Sequence, residues 1–229
     1  MKIAVLAVQG AFAEHIAKLK KLGADCVELR QAADLDEDFD GLILPGGEST
    51  VQGKLLRELH MLEPLREKIH SGLPVLGTCA GLILLAQEIS NDGNVYFGTL
   101  PVRVQRNAYG RQLGSFHTEQ EFIGIGKVPM TFIRAPYIEA VIPAQPGKRH
   151  ANDRSGGCAV TDAAVRNGGG QEQPSGAGTE ILATVEGRIV AVRAGNQIGI
   201  AFHPELDADD RIHEMFLGMC GKGRGTVQP

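Results

Sequence analysis

The 229-residue chain has no basic excess: 23 Lys and Arg stand against 27 Asp and Glu, a net charge of −4. A phosphate backbone is gripped by the opposite balance, so nucleic-acid binding is not expected. No apolar run approaches the roughly 18 residues a membrane span needs. Cysteine is scarce, and Cys26, Cys79, Cys158 and Cys220 lie far apart with no CxxC pairing. With no secretion signal, they are expected to be reduced thiols of a cytoplasmic protein, neither disulfides nor zinc ligands. The opening MKIAVLAVQGAF has one Lys, a brief apolar run and no cleavage site, so it reads as a first β-strand. His15, His60, His70, His150 and His213 lack metal-ligand spacing. No metal and no cofactor is expected. There is no internal repeat.

What is present is the ordinary mixture of a soluble protein, 43% hydrophobic and 22% charged, long enough for one α/β domain with a real core. Ile3–Val8, Cys26–Leu29, Gly41–Leu44 and Pro74–Gly77 read as short apolar strands. Between them Phe12–Leu22, Leu55–Ile69 and Leu82–Ile89 read as helices, with Gly23 stopping the first and Pro64 breaking the second or starting another. Strands without a polar face, alternating with helices, imply an open, mostly parallel twisted sheet with helices on both faces. After Gly98 the pattern turns β-like, over Leu100–Gln105, Gln112–Ile123 and Met130–Arg134. Ile181–Thr184 and Arg188–Arg193 form a hairpin about Glu186-Gly187, giving antiparallel edge strands. Ile198–Phe202 is a last strand and Asp209–Met219 a last helix. Residues 143–180, dense in Gly, Pro and polar side chains, read as a mobile insertion, or alternatively as an obscured strand pair. Residues 1–220 thus form a single domain, and 221–229 a flexible tail.

Gly77-Thr78-Cys79-Ala80-Gly81 has the form G-x-C-x-G between a strand and a helix. A nucleophile elbow needs that setting: a sharp turn lifts the central side chain, and residues two positions away must be small. The helix that follows favours a thiolate, and the Ala80 N–H is placed to hold an oxyanion. Read without chemistry, Cys79 is a small buried hydrophobe between turn glycines.

A thiol needs a base. His203 and Glu205, in AFHPEL, face one side if the chain there is extended, so the carboxylate orients the imidazole. The plainer alternative is a strand-end His beside a solvated Glu. The order Cys, His, Glu differs from the Ser, Asp, His of α/β-hydrolases. A third element, LILPGGEST, ends a strand at Leu44, turns at Pro45-Gly46-Gly47 and opens a helix at Glu48-Ser49. Its backbone is a natural second source of oxyanion donors, or else simply a βα turn with a cap. No Lys-Ser/Thr pair follows, so it is not a P-loop.

With those elements together the chain resembles the class I, triad-type glutamine amidotransferases, and more closely the family of glutaminase subunits of pyridoxal phosphate synthase. The strings that carry the resemblance are AVQGAFAEH, GLILPGGEST, EPLRE, GTCAGLILLA, RNAYGRQ, FIRAPYIE, GRIVAVR and FHPEL. The resemblance implies a triad of Cys79, His203 and Glu205. It implies a glutamine site of Gly47, Glu48, Ser49, Arg106, Ile133 and Arg134, and an oxyanion hole of Gly46, Gly47 and Ala80. On the residues alone, Arg106 and Arg134 are equally read as surface salt-bridge partners. The implied activity is hydrolysis of L-glutamine to glutamate and ammonia through a cysteinyl thioester. The ammonia would pass to a barrel-shaped synthase subunit that makes pyridoxal phosphate. The rival readings are the glutaminase of another biosynthetic amidotransferase and a cysteine peptidase of related α/β fold. Two departures from the family pattern stand out: the long insertion, and His117 in GSFHTEQEF, which is read as a surface histidine rather than a second base.

Overall fold

Every residue from Ile3 to Leu6 in β1 (Lys2–Leu6) is buried, as are all of β3 (Gly41–Leu44) and β4 (Val75–Thr78). Strands with no polar face are stable only inside a sheet covered on both sides. The computed structural model, which describes residues 1–106, 115–143 and 178–222, places them there. With β2 (Asp25–Leu29) and β12 (Gln197–Ile200) they form a parallel set in the order β2-β1-β3-β4-β12.

The sheet continues beyond β12 through β11 (Arg188–Ala194), β9 (Tyr137–Val141), β6 (Leu100–Gln105) and β5 (Ala86–Ile89), with β10 (Thr179–Val185) also paired to β11. The pairings of β11 with β12, β9 and β10, and of β6 with β9, are antiparallel. The expected hairpin is β10–β11. Glu186 and Gly187, at its tip, both have positive φ (50° and 75°), the twist a two-residue turn needs to match the strands. A separate two-stranded sheet, β7 (Ser115–Phe122) with β8 (Gly126–Ile133), packs Phe132 against Phe202 near the end of β12.

Five α-helices and two short 3-10 helices (Ala32–Asp36 and Pro204–Leu206) complete the described residues, the α-helices being α1 (Phe12–Lys21), α2 (Ser49–Glu58), α3 (Leu62–His70), α4 (Ala80–Leu85) and α5 (Arg211–Lys222). The mixed α/β class and open sheet are as the sequence implies, but several boundaries differ. Leu82–Ile89, expected to be one helix, is helical only to Leu85; Ala86–Ile89 is β5, pairing in parallel with β6. The stretch is apolar from Leu82 to Ala86, and such a run has no period to tell helix from strand. Of the two readings of Pro64, the start of another helix holds: it lies in the first turn of α3, where its missing N–H has no intrahelical partner to lose. The break between α2 and α3 falls at His60, with φ 55°. Strand β9 has no counterpart in the sequence pattern, and β8 begins four residues earlier than expected. Gly221 and Lys222, expected in the tail, extend α5, and Thr179 and Glu180, expected in the insertion, belong to β10. Residues 144–177 of the expected insertion and 223–229 of the tail lie outside the described residues. No helix of the described residues is long and apolar enough to cross a membrane.

Candidate active site

Gln9 follows β1, Gly46–Ser49 follow β3, Cys79 follows β4 and His203 follows β12, so four loops meet at the C-terminal ends of parallel strands. β1 has β2 on one side and β3 on the other, a reversal of strand order. Ligand crevices in open α/β sheets form at that place, because neighbouring loops diverge there.

Cys79 sits at φ 48°, ψ −98°, a conformation an L-residue rarely adopts. Its neighbours explain the glycines. A methyl group on Gly81 would come within 1.9 Å of the Leu44 carbonyl oxygen, and one on Gly77 within 2.8 Å of the Gly81 backbone. The turn after β4 is therefore a strained elbow with β3 pressed against it, as the G-x-C-x-G spacing implies.

His203 Nδ1 is 2.7 Å from Glu205 Oε1, and both side chains are buried. They meet for a different reason from the one read in the sequence. The chain is not extended there; Pro204–Leu206 form a 3-10 turn that folds Glu205 back onto the ring. Burial alone would lower the pKa of His203. Hydrogen bonding and charge from Cys79 and Glu205 more than reverse this and push it up to about 10. Burial likewise works against the Glu205 carboxylate, but the imidazoles of His15 and His203 hold its pKa below the ordinary value. The His203 main-chain N–H donates to the Thr131 carbonyl at 2.8 Å, so β8 fixes the backbone that carries the base.

Gly46 packs edge-on to this assembly. A methyl group there would stand 2.4 Å from His203 Cε1 and 3.5 Å from Cys79 Cβ. The Gly46 N–H, expected to face an oxyanion, instead donates to Thr78 Oγ1 at 3.1 Å. In this conformation the Gly46 N–H is thus engaged by a side chain.

The remaining sequence-derived residues converge on one cleft of about 190 Å³. Gly47, Glu48, Ser49, Cys79, Arg106, Ile133, Arg134 and His203 all line it. The Ser49 hydroxyl is buried without a hydrogen-bond partner among the described residues, an arrangement folded proteins avoid unless something else satisfies it. Arg106 is neither a free cation nor a plain surface ion pair. Its guanidinium holds Glu48 Oε1 at 3.0 Å and Asp92 Oδ2 at 2.7 Å, and so fixes Glu48 at the rim. Arg134, with φ 43°, makes no ion pair among the described residues. His117 is exposed and bonds Thr131 Oγ1 at 3.0 Å outside the cleft, a surface residue as expected.

Several residues of this region have a role that sequence reasoning does not reach. Gln9 lines the cleft and accepts the Glu48 N–H at 2.8 Å. The buried Gln52 amide ties Gln9 O (2.9 Å) to Pro45 O (3.2 Å), locking the loop after β1 to the one after β3. Gln9 stands in AVQGAFAEH, one of the strings that carry the family resemblance, and that string is the signal available for it. A larger cavity of about 820 Å³, lined by Asp38, Phe39, Lys68 and Cys220 among others, opens where residues lead into β3, β4 and β12. None of the residues above reaches it.

A cysteine elbow, a His–Glu pair and a glycine turn around one small cleft are the parts of a cysteine-dependent amide hydrolase. The family model described as the SNO glutamine amidotransferase family matches residues 5–168. The chain belongs to the SNO glutamine amidotransferase family. A pyridoxal 5′-phosphate synthase subunit PdxT of Desulfitobacterium hafniense (strain Y51) is 58% identical over 226 residues, 99% of this chain and 96% of that protein. The PdxT of Streptococcus pneumoniae (strain ATCC 700669 / Spain 23F-1) is 50% identical over 223 residues, 96% of this chain and 98% of that one. A crystal structure of a glutamine amidotransferase matches with a TM-score of 0.76 and 36% identity, over 96% of this chain and 98% of that chain. As a SNO glutamine amidotransferase the chain is an enzyme, and the cleft over Cys79 is the candidate for its active site.

Proposed function

We propose that this chain is the glutaminase subunit of a pyridoxal 5′-phosphate synthase, with Cys79, His203 and Glu205 as its triad. The observation that carries the reading is the His203 Nδ1–Glu205 Oε1 contact of 2.7 Å beside the strained Cys79. It leaves Nε2 of the imidazole for the sulfur. L-Glutamine enters with its carboxamide over Cys79. The Cys79 thiolate attacks the amide carbon, and the oxyanion is held by the Ala80 and Gly47 N–H groups. Donors of this kind are worth about 3–4 kcal/mol each in related chemistry. His203, charged through Glu205, protonates the departing nitrogen, and ammonia leaves. His203 then takes a proton from water, which attacks the thioester and releases glutamate and the free thiol.

The α-groups of glutamine call for one cation and fixed acceptors. Arg134 supplies the cation. Glu48, steadied by Arg106, and the unpartnered Ser49 hydroxyl supply the acceptors. Gly47 and Ile133 line the same cleft. Free ammonia would be protonated and lost in water, so the product is passed to a barrel-shaped synthase subunit in a hetero-oligomeric complex. Reduced Cys26, Cys79 and Cys220 accord with a cytoplasmic setting.

The test is a glutamate-release assay with and without a candidate synthase. Release should rise on adding the synthase and vanish for Cys79→Ala, while circular dichroism and melting temperature stay near wild type. Release by a well-folded Cys79→Ala protein contradicts the triad. No rise with the synthase contradicts the coupling.

A further inference from the structure

Behind Glu205 lie two histidines that the reaction above does not use. His15, on α1, and His213, on α5, are both fully buried. His15 Nε2 is 3.4 Å from Glu205 Oε2, the carboxylate oxygen that His203 leaves free, and 3.1 Å from Thr78 Oγ1. His15 Nδ1 is 2.9 Å from His213 Nε2. Burial keeps both rings neutral: it lowers the pKa of His15 and, with the neighbouring His15 and Lys18, takes that of His213 down to about 2. Each ring therefore carries one N–H, and one proton lies between them.

Two placements of that proton are conceivable. With it on His15 Nδ1, the bare Nε2 lone pair of His15 would face a carboxylate oxygen. The Nδ1–H of His213, which has no partner among the described residues, would be an unmet buried donor. With it on His213 Nε2, His15 keeps a hydrogen on Nε2, aimed at Glu205 and Thr78. That hydrogen faces Glu205 Oε2, a buried carboxylate oxygen with no closed hydrogen bond among the described residues. The second placement turns a donor toward that carboxylate oxygen and the first turns a lone pair toward it, which decides for the second.

We propose that His15 is a positioning residue for the triad: its Nε2–H holds the second oxygen of Glu205, and His213 fixes the tautomer that makes this bond. The inference rests on the triad reading and deepens it. His203 bonds Oε1 at 2.7 Å and His15 Nε2 stands 3.4 Å from Oε2, so an imidazole faces each oxygen of the carboxylate. The same His15 nitrogen stands beside Thr78, which accepts the Gly46 N–H, so one ring braces both the triad and the glycine turn. Among the described residues no cluster of His, Cys, Asp and Glu has the arrangement to hold a metal ion, so these rings are read as hydrogen-bonding groups.

The test compares wild type, His15→Phe, His15→Gln, His213→Phe and Cys79→Ala, each assayed for glutamate release with the synthase across pH 5.5–9. The ionisable groups around the pair are Glu205, His203, Glu14, Lys18 and Asp210, and all are unchanged in the histidine variants. His15→Phe should lower kcat about tenfold or more, with KM for glutamine within about threefold. Its acid limb should move to higher pH, because Glu205 without its donor protonates more readily. His15→Gln, whose amide N–H reaches the Nε2 position, should recover most of kcat. If His15→Phe does not fold, His213→Phe, which touches neither Glu205 nor Cys79, should move the acid limb in the same direction. Wild-type kcat and an unshifted acid limb in the folded histidine variants, with Cys79→Ala inactive, overturn this inference alone. An active Cys79→Ala overturns the triad reading instead.

Discussion

A cysteine held at φ 48° has a backbone cost of about 1–3 kcal/mol, which persists only where surrounding structure leaves it no alternative. Here the constraint is steric: the Leu44 carbonyl on one side and the His203 ring over Gly46 on the other. Gly46 is thus the point where backbone and catalytic base are closest. Adding a single methyl there places carbon 2.4 Å from His203 Cε1 and 2.8 Å from Nδ1. The ring must swing away, and its hydrogen bond to Glu205 breaks first. Gly46→Ala should therefore lower kcat by about a hundredfold, the usual consequence of an ångström-scale misplacement. Stability should fall as well, because His203 is buried and displacing its ring leaves the buried Glu205 carboxylate short of a partner. Glutamate release and thermal melting, measured on the same sample, check both halves. Unchanged turnover would mean that the ring does not depend on this spacing.

The elements differ in how plainly their sequences announce them. G-x-C-x-G and PGGEST are legible because each glycine answers a local steric demand at a fixed distance from a strand end. The hairpin at Glu186-Gly187 is legible for the same reason. Strand β5 is not, since Leu82–Ile89 is a largely apolar stretch and only pairing with β6 makes its second half a strand. His213 carries no signal at all, and His15 only its place at the end of AVQGAFAEH. They are 198 positions apart, and a buried donor chain has no period along the sequence. Two glycines put this distinction to a measurement. Gly218 lies within α5 with open space where a Cβ would go, so Gly218→Ala should stabilise the chain by about 0.5–1 kcal/mol through helix propensity. Gly81 lies at the start of α4, where a Cβ would meet the Leu44 carbonyl at 1.9 Å. Gly81→Ala should destabilise by about 2 kcal/mol or more, since the obstacle is backbone and cannot rotate away. Urea denaturation of the two variants should move the midpoint in opposite directions. Shifts of the same sign would show that packing around α4 is looser than the geometry states.

At the scale of the whole molecule, the buried imidazoles set the pH range in which the fold is stable. His15 and His213 have folded pKa values depressed from 6.5, that of His213 to about 2. For a base this means the unfolded chain takes up protons that the native chain refuses. Their contribution is complete above pH 6.5 and is lost progressively as pH falls toward the folded values. Each such group removes about 1.4 kcal/mol per pH unit below pH 6.5. Glu205 acts in the same direction lower down: its pKa is depressed from 4.5, so its contribution is present above pH 4.5 and fades below it. His203 has the opposite sign. Its pKa is raised to about 10, so what it contributes is fully present below pH 6.5 and disappears as pH climbs through 10. Lys18, buried and paired to Asp210 at 2.7 Å, keeps a cation beside His213 and opposes its protonation throughout the acid range. The free energy of unfolding, measured by urea titration from pH 8 to pH 4.5, should therefore begin to fall near pH 6.5, well before the carboxylates titrate. His213→Phe should flatten the fall by about 1.4 kcal/mol per pH unit. Constant stability down to pH 5 would mean that the two rings accept protons in place, and the neutral donor chain from His213 through His15 to Glu205 would then not exist.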